Sequence, residues 1–186
     1  RFNDDSFSRE AKKCLDEKCN GVVLVPVELA VTRNLTDELH AQHIPFVLLD
    51  SYMPDLRPLA FYGQDSFSSG YFAARMLMLL ASHEQEIALM KITKNGRVVS
   101  KQQDNREVGL RHYMKDHYPA IKIINLELPI DGTRQQYDNM LEQFFTEHPN
   151  IHHCITLGSK AHVMGDFLLR TNRREVQIMG YDMVKK

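Results

Sequence analysis

Arg106 is the residue hardest to explain as packing. It shares a helical stripe with Gly109, Leu110, Tyr113 and Met114, which should face the interior. A charge belongs there only in the first turn or so, at the lip of a crevice. Its guanidinium is a fixed fork of donors suited to hydroxyl or carboxylate groups. The plainer reading pairs it with a local carboxylate such as Asp104. Asp50, Asp65 and Asp182 each follow an apolar run, as do Glu28, Tyr52 and Ser159 with its neighbour Lys160. Asp50 can contact a ligand, accept a phosphoryl group or cap a turn. Asp65 can be the N-cap of a helix, and Asp182 a turn residue.

Other chemistries lack their residues. The nine histidines show no HxH or HExxH spacing, and His152-His153 point to opposite sides of a strand, so no metal site is expected. No GxGxxG, Walker loop or GxSxG elbow is present, so neither a cofactor nor an enzyme is expected. Arg170, Arg173 and Arg174 at a helix end read as dipole complementarity and solubility. Cys14 and Cys19 are five apart and Cys154 stands alone. They read as reduced thiols, which favours a cytoplasmic setting.

The elements that must position these residues alternate along all 186 residues. Helical spacing covers Ser6 to Cys19, Val31 to about His43, Asp65 or Ser66 to Ser82, Gln102 to His117, Thr133 to His148 and Lys160 to Thr171. Buried-strand runs lie at 21–26, 44–50, 59–62, 86–92, 121–128, 153–157 and 176–181. Strands alternating with helices predict an α/β fold with parallel sheets covered on both faces. The helix after Asp65 is apolar over much of its surface and should be well covered. The polar break Ser82-His83-Glu84-Gln85 divides the chain into residues 1–82 and 83–186, each with about three strands. Ligands of such sheets bind at the carboxyl ends of the strands, where the residues named above fall.

Lys plus Arg is 23 and Asp plus Glu is 24, so 23 − 24 gives a net charge of −1. That balance argues against a free-standing nucleic-acid binder. No apolar run approaches ~18 residues, so no membrane helix is expected. The chain opens on Arg1-Phe2-Asn3 and stops just after an apolar strand pattern. The expectation is a longer protein cut at both ends.

The run Gly63-Gln64-Asp65-Ser66-Phe67-Ser68-Ser69-Gly70-Tyr71-Phe72-Ala73-Ala74-Arg75-Met76-Leu77 resembles the effector-binding domain of LacI-family transcriptional regulators. Residues 20–26, 44–50 and 83–88 match in order. Arg106 to Gly109 looks like the family's arginine, two residues, glycine element, and Met179-Gly180-Tyr181-Asp182 like its ending. The resemblance implies a two-lobed, type I periplasmic-binding-protein-like fold, each lobe a parallel sheet flanked by helices. On this view 1–82 is an N-terminal lobe lacking its first strand and helix, 83–186 is a C-terminal lobe incomplete at its end, and 82–85 is the first crossover.

It also implies that Asp65, Arg106 and Asp182 touch a ligand in the cleft. Glu28, Asp50 and Tyr52 would come from rim loops. The family often has Asn-Asp where this chain reads Gly158-Ser159-Lys160, so a Ser159 or backbone contact replaces the asparagine, or Lys160 brings in a charge. The implied function is small-molecule sensing, with a carbohydrate as the default effector. The implied partners are operator DNA, through a helix-turn-helix headpiece absent from these residues, and a second subunit. A periplasmic sugar-binding protein of a transporter is the alternative. An α/β enzyme or phospho-receiver comes third, because a receiver needs paired acidic residues after its first strand, and none are seen.

Overall fold

The computed structural model describes residues 4–17, 19–26, 29–94, 96–98 and 100–181. They form two compact units, 1–64 and 65–186.

In the first unit, α1 (Asp4–Asp16) precedes β1 (Val22–Leu24), α2 (Leu29–Ala41), β2 (Phe46–Leu49) and β3 (Ala60–Tyr62). The strands pair in parallel in the order β1-β2-β3, with Val23 opposite Val47 and Leu49 opposite Tyr62. Alternation sends Leu24, Phe46 and Leu48 to one face, where they bury against Leu35 and Leu39 of α2. Phe7, Ala11 and Leu15 of α1 pack on the same cluster. The other face carries Val23, Leu49 and Tyr62, all exposed. The expected cover on both faces is therefore met on only one face of this sheet among the described residues.

The second unit runs α3 (Ser66–Ala81), β4 (Glu86–Lys94), β5 (Arg97–Val98), α4 (Lys101–His117), β6 (Lys122–Pro129), α5 (Arg134–Glu147), β7 (His153–Thr156), α6 (Ala161–Arg170) and β8 (Gln177–Met179). Parallel β6 and β7 flank β4, β8 lies outside β7, and β5 folds back antiparallel onto the end of β4. Both faces are covered. Ile87, Leu89 and Ile155 meet α3 and α4, while Ala88, Met90 and Cys154 meet α5 and α6. The helix starts are fixed locally: Thr133 and Gln136 close a capping box on α5, and Ser100 caps α4.

Three further expectations change. The hairpin strand β5 replaces what reads as a polar loop around Gly96, because a two-residue strand has too little pattern to show. The units divide at Gln64/Asp65 rather than at 82–85, because α3 buries Ala73, Ala74, Leu77 and Met78 in one cluster with Leu110 and Met114 of α4. The polar break is the turn between α3 and β4. The units accordingly hold three and five strands. Finally, α3 is not covered all round, since Phe72, Met76, Leu79 and Leu80 remain exposed along one stripe.

Candidate functional site

Two glycines set the geometry around Arg106. A Cβ on Gly70 of α3 would collide with the backbone carbonyl of Arg106, and one on Gly109 of α4 would collide with that of Phe67. The two helices therefore cross with backbone against backbone, which only glycine permits. The glycine three residues after Arg106 thus has a mechanical meaning: it brings the first half of α4 onto the first turns of α3.

From there the half-buried Arg106 reaches across the sheet end. Its Nη1 donates to the carbonyl of Leu157 at 2.9 Å, one residue beyond β7. Its guanidinium lies 4.0 Å from the centre of the Tyr181 ring, beyond β8. Tyr181 in turn donates its hydroxyl to the Ser69 carbonyl on α3 at 3.0 Å. Burial raises the Tyr181 hydroxyl above its ordinary pKa of 10.0, so it stays a protonated donor. Arg106 is thus held in place by a carbonyl and a ring.

Asp65 begins the same helix that Tyr181 grips. Its carboxylate accepts from the Ser68 backbone at 3.1 Å and from the Ser68 hydroxyl at 2.8 Å. It is therefore the N-cap of α3. The Ser68 hydroxyl, then the Ser68 N–H, hold the Asp65 carboxyl below its usual value. An exposed carboxylate with one bond on each oxygen keeps lone pairs for further donors. Capping and ligand contact are compatible here.

Ser159 is exposed on the turn after β7. Its neighbour Lys160 is turned away onto α5, donating to the Ile130 carbonyl and, at 2.8 Å, to the Tyr137 hydroxyl. Gln103, one turn before Arg106, is buried. It accepts from the Ile92 N–H at 3.3 Å and donates to the Ile92 carbonyl at 3.1 Å. A Cβ on Gly158 would press on that Gln103 amide. Beside them, buried Lys91 meets Glu107 at 3.3 Å, and Glu107 accepts from Arg111 at 2.8 Å. Gln103 and this ion network fix how α4 sits on β4.

In the first unit, Asp50 follows β2 with φ +70°, a conformation that aspartate tolerates better than most residues. Its N–H donates to the Tyr62 carbonyl at 2.9 Å. Tyr52 is exposed, its ring 5.1 Å from that of Phe61. Asp50 and Tyr52 thus share one end of the β2–β3 pair. Glu28 and Asp182 lie outside the described residues.

The second unit therefore links Asp65, Arg106 and the Ser159 turn through Ser69, Tyr181 and Leu157. Tyr181 and Gln103 are the structural partners that the sequence reading did not single out. Gln103 falls on the stripe of Leu110, Tyr113 and Met114, and Tyr181 adjoins Asp182 in a quoted motif, so both left a trace. Among the described residues no group of His, Cys, Asp and Glu could hold a metal ion, and no helix is long and apolar enough to cross a membrane. A cavity of about 380 Å³ between Met114, Tyr118, Pro119 and Ile123 lies at the other end of α4 from Arg106.

A family model described as periplasmic binding protein domain matches residues 2–186. A protein provisionally described as a LacI transcriptional regulator from Bacteroides fragilis is similar at 39% identity and TM-score 0.90, over 98% of this chain and 63% of that one. A glucose-galactose binding protein from Geobacillus stearothermophilus is similar at 22% identity and TM-score 0.83, over 99% of this chain and 64% of that one. The sugar-binding protein of a Bacillus halodurans ABC transporter is similar at 21% identity and TM-score 0.81, over 98% and 62%. At such identities the last two speak for the fold alone. The chain spans less than two thirds of each of these relatives. A search of the curated proteins found no significant match.

Proposed function

This chain belongs to the family of periplasmic binding protein domains, and from that premise we propose that it is the sugar-sensing part of a LacI-type transcriptional regulator. The observation that carries the regulator reading is the 39% identity, along 98% of the chain, to the protein provisionally described as such a regulator. Sugar as the ligand class rests on the described ligands of more distant relatives and on a rim of ionised and hydroxyl groups at the strand ends.

In this reading the units 1–64 and 65–186 are parts of two lobes, and the ligand lies at the carboxyl ends of their strands. Arg106 donates to ligand hydroxyls, and Asp65 and Asp182 accept from them. Glu28, Asp50 and Ser159 add polar contacts, and Tyr52 supplies a ring face. No covalent step is involved. The ligand favours the lobe arrangement it binds better, and that arrangement sets the spacing of two DNA-binding headpieces in a cytoplasmic homodimer.

The test uses the full-length protein. Thermal shifts are measured against a panel of mono- and oligosaccharides, with Arg106→Met beside the parent. A ligand at ~100 times its Kd adds about 2.7 kcal/mol of stability. Losing one hydrogen bond from a charged donor, about 1.5–3 kcal/mol, should weaken that ligand roughly 10- to 150-fold in Arg106→Met. A sugar that also changes affinity for a DNA site supports the regulator. A sugar that binds a protein with no DNA affinity favours the transporter reading, which the likeness to two sugar-binding proteins keeps in play. A hit unchanged in Arg106→Met removes Arg106 from the site.

A further inference from the structure

The sulfurs of Cys14 and Cys19 lie 2.9 Å apart. Two reduced thiols are weak hydrogen-bonding partners, yet these sit within about 1 Å of the ~2.05 Å length of a disulfide bond. Cys14 occupies the last turn of α1, next to Leu15, which anchors that helix on the core. The helix ends as the Glu17 N–H closes on the Lys13 carbonyl at 3.0 Å. The Cys19 thiol also points at the Cys14 carbonyl at 3.4 Å. Both cysteines are half-exposed, whereas Cys154 is fully buried.

We infer that Cys14 and Cys19 are a modification site, closing into an intrachain disulfide when the protein meets a small-molecule disulfide such as oxidised glutathione. One cysteine loses its proton to solvent and attacks a glutathione sulfur. A mixed disulfide forms and the first glutathione leaves as thiolate. The second cysteine, also deprotonated, attacks the protein sulfur of that mixed disulfide and displaces the other glutathione. Two electrons pass from the protein thiols to the oxidant, and the two released thiolates take up two protons. The closed ring ties the end of α1 to the segment that enters β1, with no change required in the sheet. Hydrogen bonding to Cys19 first, and burial second, push the Cys14 thiol up to about 11. Closure through Cys14 therefore quickens as pH rises. This inference is independent of the ligand reading.

The experiment incubates full-length protein with oxidised glutathione and then blocks free thiols with maleimide under denaturing conditions. Lys18 lies between the two cysteines, so trypsin separates residues 14–18 from 19–33 unless a disulfide joins them. The expected result is a joined 14–18/19–33 peptide, lighter by two hydrogens than its parts, with maleimide on Cys154 and no retained glutathione. Cys14→Ser and Cys19→Ser should each retain one glutathione on the remaining cysteine, which shows that the oxidant reached it. Glutathione retained on both cysteines of the parent, a link between two chains, or maleimide on all three cysteines would overturn the inference.

Discussion

Gly70→Ala tests whether the close crossing of α3 and α4 holds the Arg106 region together. The three nearest atoms a methyl at Gly70 would meet all belong to the Arg106 backbone, so no side-chain rotation relieves the clash. The helices must separate, and overpacking of this kind costs about 3 kcal/mol, the upper end of its usual range. Alanine returns about 1 kcal/mol through its better helix propensity. The net expectation is a loss of about 2 kcal/mol. Gly165 of α6 is the internal control, because a Cβ there meets nothing within 4 Å. Gly165→Ala should gain up to about 1 kcal/mol from the same propensity. Urea unfolding of both variants beside the parent reads the difference, with midpoints moving in opposite directions at equal slope. If Gly70→Ala is as stable as the parent while Gly165→Ala gains, the helices part freely and the crossing does not constrain Arg106.

Three further outcomes are expected. Gln103→Leu strands the buried N–H and carbonyl of Ile92, at about 1–3 kcal/mol each; a loss below about 1 kcal/mol in urea unfolding would show that the amide clamp is dispensable. Native protein should react with maleimide at half-exposed Cys19 well before Cys154, which is fully buried and whose thiol burial pushes up to about 12; rapid native labelling of Cys154 would refute its burial. Because Asp65 is held below its ordinary 3.8 when folded, its contribution is full above that value and is lost as pH falls through the folded value. Ser68→Ala should raise the Asp65 titration midpoint seen by carboxyl NMR, and an unmoved midpoint would remove Ser68 as the cause.

Much of this arrangement was legible because helices and strands carry different apolar periods. The stripe of Tyr137, Leu141, Phe144 and Phe145 finds α5, and Thr133 with Gln136 finds its start. Arg106 stood out as a charge on an apolar stripe, and the structure gives that charge a carbonyl and a ring to meet. The unit boundary was harder to see. Polar residues at 82–85 mark a turn, but which unit a helix joins depends on the face of its neighbour, and a close crossing at Gly70 and Gly109 leaves no apolar run to read. The exposed stripe of α3 was hidden for a related reason: apolar content does not say which side is covered. Gln103 shows in the sequence only as a polar residue on an apolar stripe, because its value lies in the backbone of Ile92, and backbone partners leave no residue-type signature.

The bond from Tyr181 to the Ser69 carbonyl spans 112 residues. It joins the first helix of the second unit to the turn after its last described strand. During synthesis, β1, β2 and β3 can pair while that partner is still unmade, because their contacts are local. The Arg106 setting cannot be complete until Tyr181 has emerged, and closing so long a loop slows the step that assembles it. The Arg106 setting is thus among the last parts of the chain to acquire its shape, and until then the apolar faces of α3 and α4 depend on one another for cover.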